Sequence, residues 1–213
     1  MEQRFFTVAS RKNPMIKIKA ATGHFATGSS HISHYIDISE LKSSAAAAKD
    51  AARALAEPFI SSAAVDVIVC TEGTEIIAAY LADELLRSGP GVVNTGGQIY
   101  VLTPMHTGNG SFIFHQNVQE KISGKNALIL VATMSTGSTV NRAAECLSYY
   151  GGNLVGISAV FSAFPEIAGW EVHSLFTCDD IPGYRFYKPS ECGMCEEGLK
   201  LDAIINSEGY TKI

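Results

Sequence analysis

Hydrophobic residues in this chain occur in short β-branched runs that alternate with segments of helical periodicity. The runs typical of buried strands are residues 65–70, 99–102, 127–131 and 154–161. The segments with apolar residues three and four positions apart are 45–56 (after Ser43 or Ser44, before Pro58), 75–87 (before Gly89-Pro90) and 140–150. Strands that are apolar on both faces and alternate with amphipathic helices predict an α/β fold, with a mostly parallel sheet and helices on both faces.

The most apolar strand, 127–131, leads into a short polar loop. This loop reads Ser135-Thr136-Gly137-Ser138-Thr139 and is followed by the helix at 140–150. Ligands of parallel sheets bind beyond the carboxyl ends of the strands. Glycine lets the backbone approach a ligand closely, hydroxyls offer donors, and the first amides of a helix attract anions. The pattern predicts a monophosphate site, with a plain strand-to-helix turn capped by hydroxyls as the alternative.

Composition narrows the classes of function. With 213 residues, 46% apolar and 17% charged, the chain suits one globular domain. A net charge of −5 without a dense basic run argues against nucleic-acid binding. No apolar run approaches the 18 or so residues of a membrane span. Five scattered cysteines and the lack of a recognisable secretory signal predict a reduced, cytoplasmic protein.

Four segments resemble, in their order along the chain, the type I phosphoribosyltransferases, and orotate phosphoribosyltransferases in particular. Segment 127–139 is similar to the strand and 5′-phosphate loop of that family. Segment 23–37 resembles its N-terminal element around the base-binding hood, and 67–81 its strand, pyrophosphate loop and helix. Segment 192–198 resembles a cysteine pair near the C-terminus of some members.

The resemblance covers most of the chain and has definite implications. It implies one phosphoribosyltransferase-like domain over 1–213, with 1–40 and about 165–213 forming a small hood and peripheral elements. It implies a phosphate loop at 135–139, a diphosphate or metal loop at Thr71-Glu72-Gly73-Thr74-Glu75, and His34 and Tyr35 on the base side of the hood. The implied ligand is a phosphoribosyl compound or nucleotide, with Mg²⁺ accompanying a diphosphate ligand, and the implied assembly is a homodimer.

The chain departs from the family where the chemistry is done. Val131 and Ala132 stand where the family has two adjacent acidic residues that hold the ribose hydroxyls, and the loop 103–110 has no Lys or Arg. Losing one group that stabilises a transition state electrostatically costs about 2.7–4 kcal/mol. No catalytic residue is therefore assigned, and we expect ligand binding with weak or altered transferase activity. The alternatives are a non-catalytic sensing module and an active transferase with a metal relocated to Glu72 or Glu75. Separately, a protonated His106 could replace a lost cation.

The cysteines and histidines leave several interpretations open. Cys192 and Cys195 form a lone Cys-x-x-Cys pair, whereas structural zinc takes four ligands. Only Cys178 and His173 could supply the other two. The sequence therefore predicts no metal, with zinc on Cys178, Cys192 and Cys195, a redox pair or a structural remnant as alternatives. The spacing of His24, His31 and His34 matches no standard ligand pattern, so these histidines are expected along the hood or on the surface.

Overall fold

The computed structural model describes residues 4–87, 91–94, 96–108, 110–207 and 209–213. The strands are β1 (Phe5–Ala9), β2 (Lys17–Ala26), β3 (His31–Asp37), β4 (Val67–Cys70), β5 (Tyr100–Leu102), β6 (Met105–His106), β7 (Phe112–Ile113), β8 (Asn126–Met134), β9 (Asn153–Ser162), β10 (Glu166–Ile167), β11 (Trp170–Thr177), β12 (Phe186–Tyr187), β13 (Ala203–Asn206) and β14 (Gly209–Lys212). The helices are α1 (Ser39–Ser43), α2 (Ala45–Ala56), α3 (Glu75–Leu86), α4 (Gln116–Gln119), α5 (Ser138–Tyr149) and α6 (Gly193–Glu196).

The central sheet has the strand order β10-β11-β9-β8-β4-β5. All neighbours pair in parallel except β10 with β11. Alternate residues of β8 enter two different cores: Leu130 and Ala132 join a core that contains α2 and α3, whereas Ile129 and Val131 join one that contains α5. The expected α/β fold, mostly parallel with helices on both faces, is confirmed.

Local sequence explains the bounds of the predicted helices. Helix α2 begins after Ser44, whose hydroxyl accepts a hydrogen bond from the amide of Ala47 at 3.4 Å, and it ends at Ala56, before Pro58. Helix α3 spans Glu75–Leu86. The predicted end signal at Gly89-Pro90 lies outside the described residues.

A second sheet, which we call the hood, is built from both ends of the chain. Its order is β12-β3-β2-β13-β14, with β1 pairing to β2. Strand β13 joins β2 in parallel through the pair Ala203↔Phe25. The region 166–177, which the sequence assigned to the hood or periphery, instead extends the central sheet, because β11 pairs in parallel with β9. Among the described residues, no helix is long and apolar enough to cross a membrane.

Candidate phosphate-binding site

A pocket of about 330 Å³ lies between the carboxyl ends of β4 and β8 and the hood. From the central domain it is lined by the whole predicted phosphate loop, Ser135 to Thr139, and by Glu72 from the loop after β4. From the hood it is lined by the β2–β3 turn at Thr27, Gly28 and Ser29, and by the tail at Ile205, Asn206 and Ser207. The pocket is therefore at the edge of the sheet where parallel α/β folds bind ligands.

The loop presents the start of α5 to this pocket. Gly137 is the N-cap residue and adopts a left-handed conformation with φ of 77°, and its carbonyl accepts the amide of Asn141 at 3.0 Å. Within the described part of the chain, the amides of Ser138, Thr139 and Val140 donate to no protein acceptor. Unpaired amides and the positive end of the helix dipole make this end of α5 suited to an anion.

Packing also favours glycine at 137. A Cβ atom placed there would overlap Cδ1 of Ile167, the last residue of β10. The loop thus packs closely against Ile167 of the central sheet, while its residues 135–139 line the pocket. The glycine serves the close approach of two protein segments as well as the turn itself.

Glu72 brings a carboxylate to the carboxyl end of β8. Its Oε2 accepts the amides of Ala132 and Thr133, each at 3.2 Å, and its Oε1 accepts the hydroxyl of Thr139 at 3.1 Å. Burial raises the pKa of Glu72, and the hydrogen bonds from Thr133, Thr139 and Ala132 oppose that rise only in part. The hydroxyl of Thr139, predicted as a phosphate donor, is therefore committed to Glu72.

Two cationic residues that were not predicted from the sequence line the pocket. Lys42 of α1 donates from Nζ to the carbonyl of Ser207 at 2.9 Å, which links the central domain to the tail. Arg142 lies four residues after Ser138, on the same side of α5, and lines the pocket. That spacing of one helical turn was a usable signal for Arg142, whereas the contact of Lys42 with residue 207 was not readable from local pattern.

The predicted diphosphate loop contributes less than expected. Of residues 71–75, only Glu72 lines the pocket. Thr71 is buried, and its carbonyl accepts the hydroxyl of Thr74 at 2.8 Å. Glu75 points elsewhere and accepts the hydroxyl of Thr103 at 3.1 Å. His106, the candidate cation, stacks edge-on against Phe112 at 4.6 Å and is not among the described pocket residues.

The two predicted hood residues separate. Tyr35 lines the pocket, and burial together with Asp37 and Tyr210 raises its pKa to about 12. His34 does not line it: its ring is buried, stacks on Tyr184 and hydrogen-bonds to Ser33 at 2.8 Å. Burial lowers the pKa of His34. Successive residues of a strand point to opposite faces, so both could not serve one site.

The predicted zinc set is also rearranged. Cys178 lies apart from the other two cysteines and packs on the core, with Sγ 3.7 Å from the carbonyl of Ala163. Cys192 and Cys195 instead lie beside His24 and His31. The four potential ligand atoms, one from each residue, lie within 4.8 Å of one another. These histidines border the cysteines rather than the pocket.

Comparisons with known proteins agree on the fold. No family model matches the chain, and no curated protein matches it by sequence. UMP synthase of Leishmania donovani superposes with a TM-score of 0.56 at 18% identity, over 75% of this chain and 34% of that one. Orotate phosphoribosyltransferase of Mycobacterium tuberculosis, in complex with 5-phospho-α-D-ribosyl 1-diphosphate, gives 0.51 at 17% identity, over 69% and 82%.

Adenine phosphoribosyltransferase of Thermoanaerobacter pseudethanolicus gives a TM-score of 0.51 at 15% identity, over 83% of this chain and 96% of that one. Orotate and adenine enzymes thus share the architecture of this chain. The protein has a type I phosphoribosyltransferase-like fold.

Proposed function

We propose that the protein binds a ribose 5-phosphate compound or nucleotide in the 330 Å³ pocket, and that any phosphoribosyl transfer is weak or altered. The observation that carries this proposal is the start of α5, where Ser138 and Thr139 have unpaired amides and line a pocket that also contains Arg142 and Lys42. A structural neighbour of the same fold holds a phosphoribosyl diphosphate. The phosphate would lie on the amides of Ser138 and Thr139, with the Ser135 and Ser138 hydroxyls beside it.

Glu72 is the residue best placed to hold the ribose. A carboxylate offers about four acceptor positions, and three are occupied by Ala132, Thr133 and Thr139. One remains for a sugar hydroxyl, next to the positions where Val131 and Ala132 replace the acidic pair of the family. A carboxylate from the loop after β4 would then do part of the work that two carboxylates at the positions of Val131 and Ala132 do in the family.

The same arrangement argues against efficient transfer. A departing diphosphate needs concentrated positive charge or metal, and the buried Glu72 carboxylate stands in the pocket. Protein donors take three of the roughly four acceptor positions of Glu72, and Glu75 accepts from Thr103, so the residues present do not fit a protein-held magnesium ion. Magnesium stays in the proposal only as the companion of a diphosphate ligand.

Because Glu72 and Glu75 are already engaged by protein donors, the relocated-metal transferase is the weaker alternative. A non-catalytic sensing module differs from the main proposal only in producing no product at all. The homodimer and the cytoplasmic location stay predictions: the first comes from the resemblance, and the second from cysteine usage.

Calorimetric titration with ribose 5-phosphate tests the binding. We expect saturable binding that ribose alone does not reproduce. Arg142→Met removes a cation from the pocket and should raise Kd roughly 10- to 100-fold, as expected for a hydrogen bond to a charged group. Arg11→Met is the matched control, because Arg11 is exposed beside Asp179, away from the pocket, and its Kd should be that of the parent protein.

Equal affinity for ribose and ribose 5-phosphate would remove the phosphate assignment. The activity part is tested separately by mixing the protein with orotate, phosphoribosyl diphosphate and magnesium and measuring orotidylate. Turnover at ordinary rates, about 1–10³ per second, would contradict the weak-transfer part and leave the binding part intact.

A further inference from the structure

Two histidines and two cysteines from distant parts of the chain converge at the outer end of the hood. His24 lies in β2 and His31 begins β3, while Cys192 precedes α6 and Cys195 lies within it. Nε2 of His24 lies 3.1 Å from Nδ1 of His31 and 3.5 Å from Sγ of Cys192. Sγ of Cys195 lies 3.7 Å from the same Nε2 and 3.3 Å from Nδ1 of His31.

These separations match the edges of a tetrahedral zinc site. Zinc bonds of about 2.0–2.1 Å to nitrogen and about 2.3 Å to sulfur imply edges of roughly 3.4 Å between two nitrogens and roughly 3.6 Å between nitrogen and sulfur. The observed values of 3.1 Å for the nitrogen pair and 3.3, 3.5 and 3.7 Å for the mixed pairs scatter around them. The two remaining separations, from Sγ of Cys192 to Sγ of Cys195 and to the ring of His31, are within 4.8 Å, so the four atoms can surround one ion.

The orientation of His24 supports the same reading. Its Nδ1 lies 2.9 Å from the carbonyl oxygen of Leu199, which can only accept, so this nitrogen carries the proton. Nε2 is then unprotonated and directs its lone pair at the cysteines. A backbone carbonyl that fixes the tautomer of a histidine is the usual outer support of a metal ligand.

Burial and charge distinguish a metal site from a redox pair. His24 and Cys192 are 3% and 2% exposed, whereas His31 is half-buried and Cys195 is exposed. Two thiolates and a divalent ion sum to zero charge, so a partly buried site of this composition avoids the cost of leaving the Cys192 thiolate as an isolated buried charge. A redox pair would not need two imidazole nitrogens directed at its sulfurs.

We propose that His24, His31, Cys192 and Cys195 bind a structural zinc ion. All four positions are taken by protein, which is the composition of structural rather than catalytic zinc. The ion would tie the β2–β3 hairpin to the segment that precedes β13. Because Thr27, Gly28 and Ser29 lie between the two histidines and line the pocket, the ion would also fix one wall of that pocket.

Metal analysis of protein carrying no histidine tag tests this inference. We expect about one zinc per chain after dialysis, and tetrahedral cobalt(II) bands with thiolate charge transfer after cobalt substitution. Cys195→Ser and His31→Asn should each lower retained zinc at least tenfold. Cys178→Ser is the matched control, because Cys178 packs on the core, and it should retain zinc like the parent protein.

Three outcomes would overturn the proposal. They are metal-free protein with a Cys192–Cys195 disulfide by mass, cobalt bands without thiolate charge transfer, and zinc lost equally in Cys178→Ser. If the ligand variants do not fold, the stoichiometry and cobalt spectrum of the parent protein decide alone. None of these readouts depends on a ligand in the phosphate pocket.

Discussion

Glu72 combines an unfavourable backbone conformation with an unfavourable environment for its charge. It is a non-glycine residue with φ of 59°, and its carboxylate is buried enough to raise its pKa. A left-handed conformation costs a non-glycine residue about 1–2 kcal/mol. Such costs persist where the surroundings over-determine them, and they cluster at ligand sites. Here the surroundings are the amides of Ala132 and Thr133, which hold the carboxylate in the pocket.

Glu72→Gln should stabilise the protein more as the pH rises. A carboxyl whose folded pKa lies above its ordinary value of 4.5 favours folding below that value, and the favourable contribution is lost as pH rises through the folded pKa. Glutamine keeps an acceptor for the two amides and has no charge to bury. We expect the difference in the free energy of unfolding, variant minus parent, to grow between pH 4 and 8, by about 1.4 kcal/mol per unit of pKa shift.

Urea denaturation at several pH values measures this difference. The same series on Glu75→Gln controls for removing one negative charge from the same loop, since Glu75 is exposed and bonded to Thr103. A flat difference for Glu72→Gln would show that the buried carboxylate is better compensated than its surroundings indicate.

At the scale of elements, the loop before α5 depends on its contact with β10. Gly137→Ala adds a methyl group that overlaps Ile167. It also places a non-glycine residue at φ of 77°, in the left-handed region. We expect a loss of about 1–3 kcal/mol in the free energy of unfolding. Adding Ile167→Ala should relieve the steric part only, so the double variant should lose less than the sum of the two single variants. A double-mutant cycle in urea measures this coupling.

Gly28→Ala is the control from the opposite wall of the pocket. Nothing lies within 4 Å of a Cβ at Gly28, and its φ is outside the left-handed region. We expect a change within about 0.5 kcal/mol. Strictly additive single variants at 137 and 167 would show that the loop can move away from β10 without loss.

Elements with a strong local pattern were predictable. Helix α2 has its predicted cap and its predicted end, and β8 contains the predicted run 127–131 with three further residues after it. Strands of the hood were not predictable to the same degree, because β13 is short and its pairing with β2 joins residues Ala203 and Phe25. Local periodicity cannot predict a pairing between residues near the two ends of a chain.

At the scale of the molecule, the candidate sites show the same division. The phosphate loop was predictable because strand, glycine and helix are consecutive. The four-residue metal cluster was not, since its histidines and cysteines are more than 160 positions apart. The histidine spacing of seven gave no signal, because His24 and His31 are neighbours across the β2–β3 hairpin rather than along one element. The strand pairing of the fold, rather than the spacing in the sequence, places these histidines side by side.

The two sheets differ in how they are held. The central sheet lies between two large cores, whereas the separate core of the hood consists of Phe25, Ile32, Tyr35 and Ala203. In the tail strands β13 and β14, Ala203 is the one buried residue. Segments with few buried contacts open at lower free energy than core strands. The tail is therefore the part of the pocket wall that a ligand can stabilise most.

Hydrogen exchange measured by mass spectrometry should show this closure. Without ligand, amides of β13 and β14 should exchange faster than those of β8 and β9. Saturating ribose 5-phosphate should slow exchange at 135–139 and also at 27–29 and 205–207, because all three segments line one pocket. Ribose alone should give no such change, and Arg142→Met should require more ligand for it. Protection confined to 135–139 would mean that the phosphate binds without the hood closing on it. Strand β9 is the internal control, because it is already buried in the sheet and its exchange should not change with ligand.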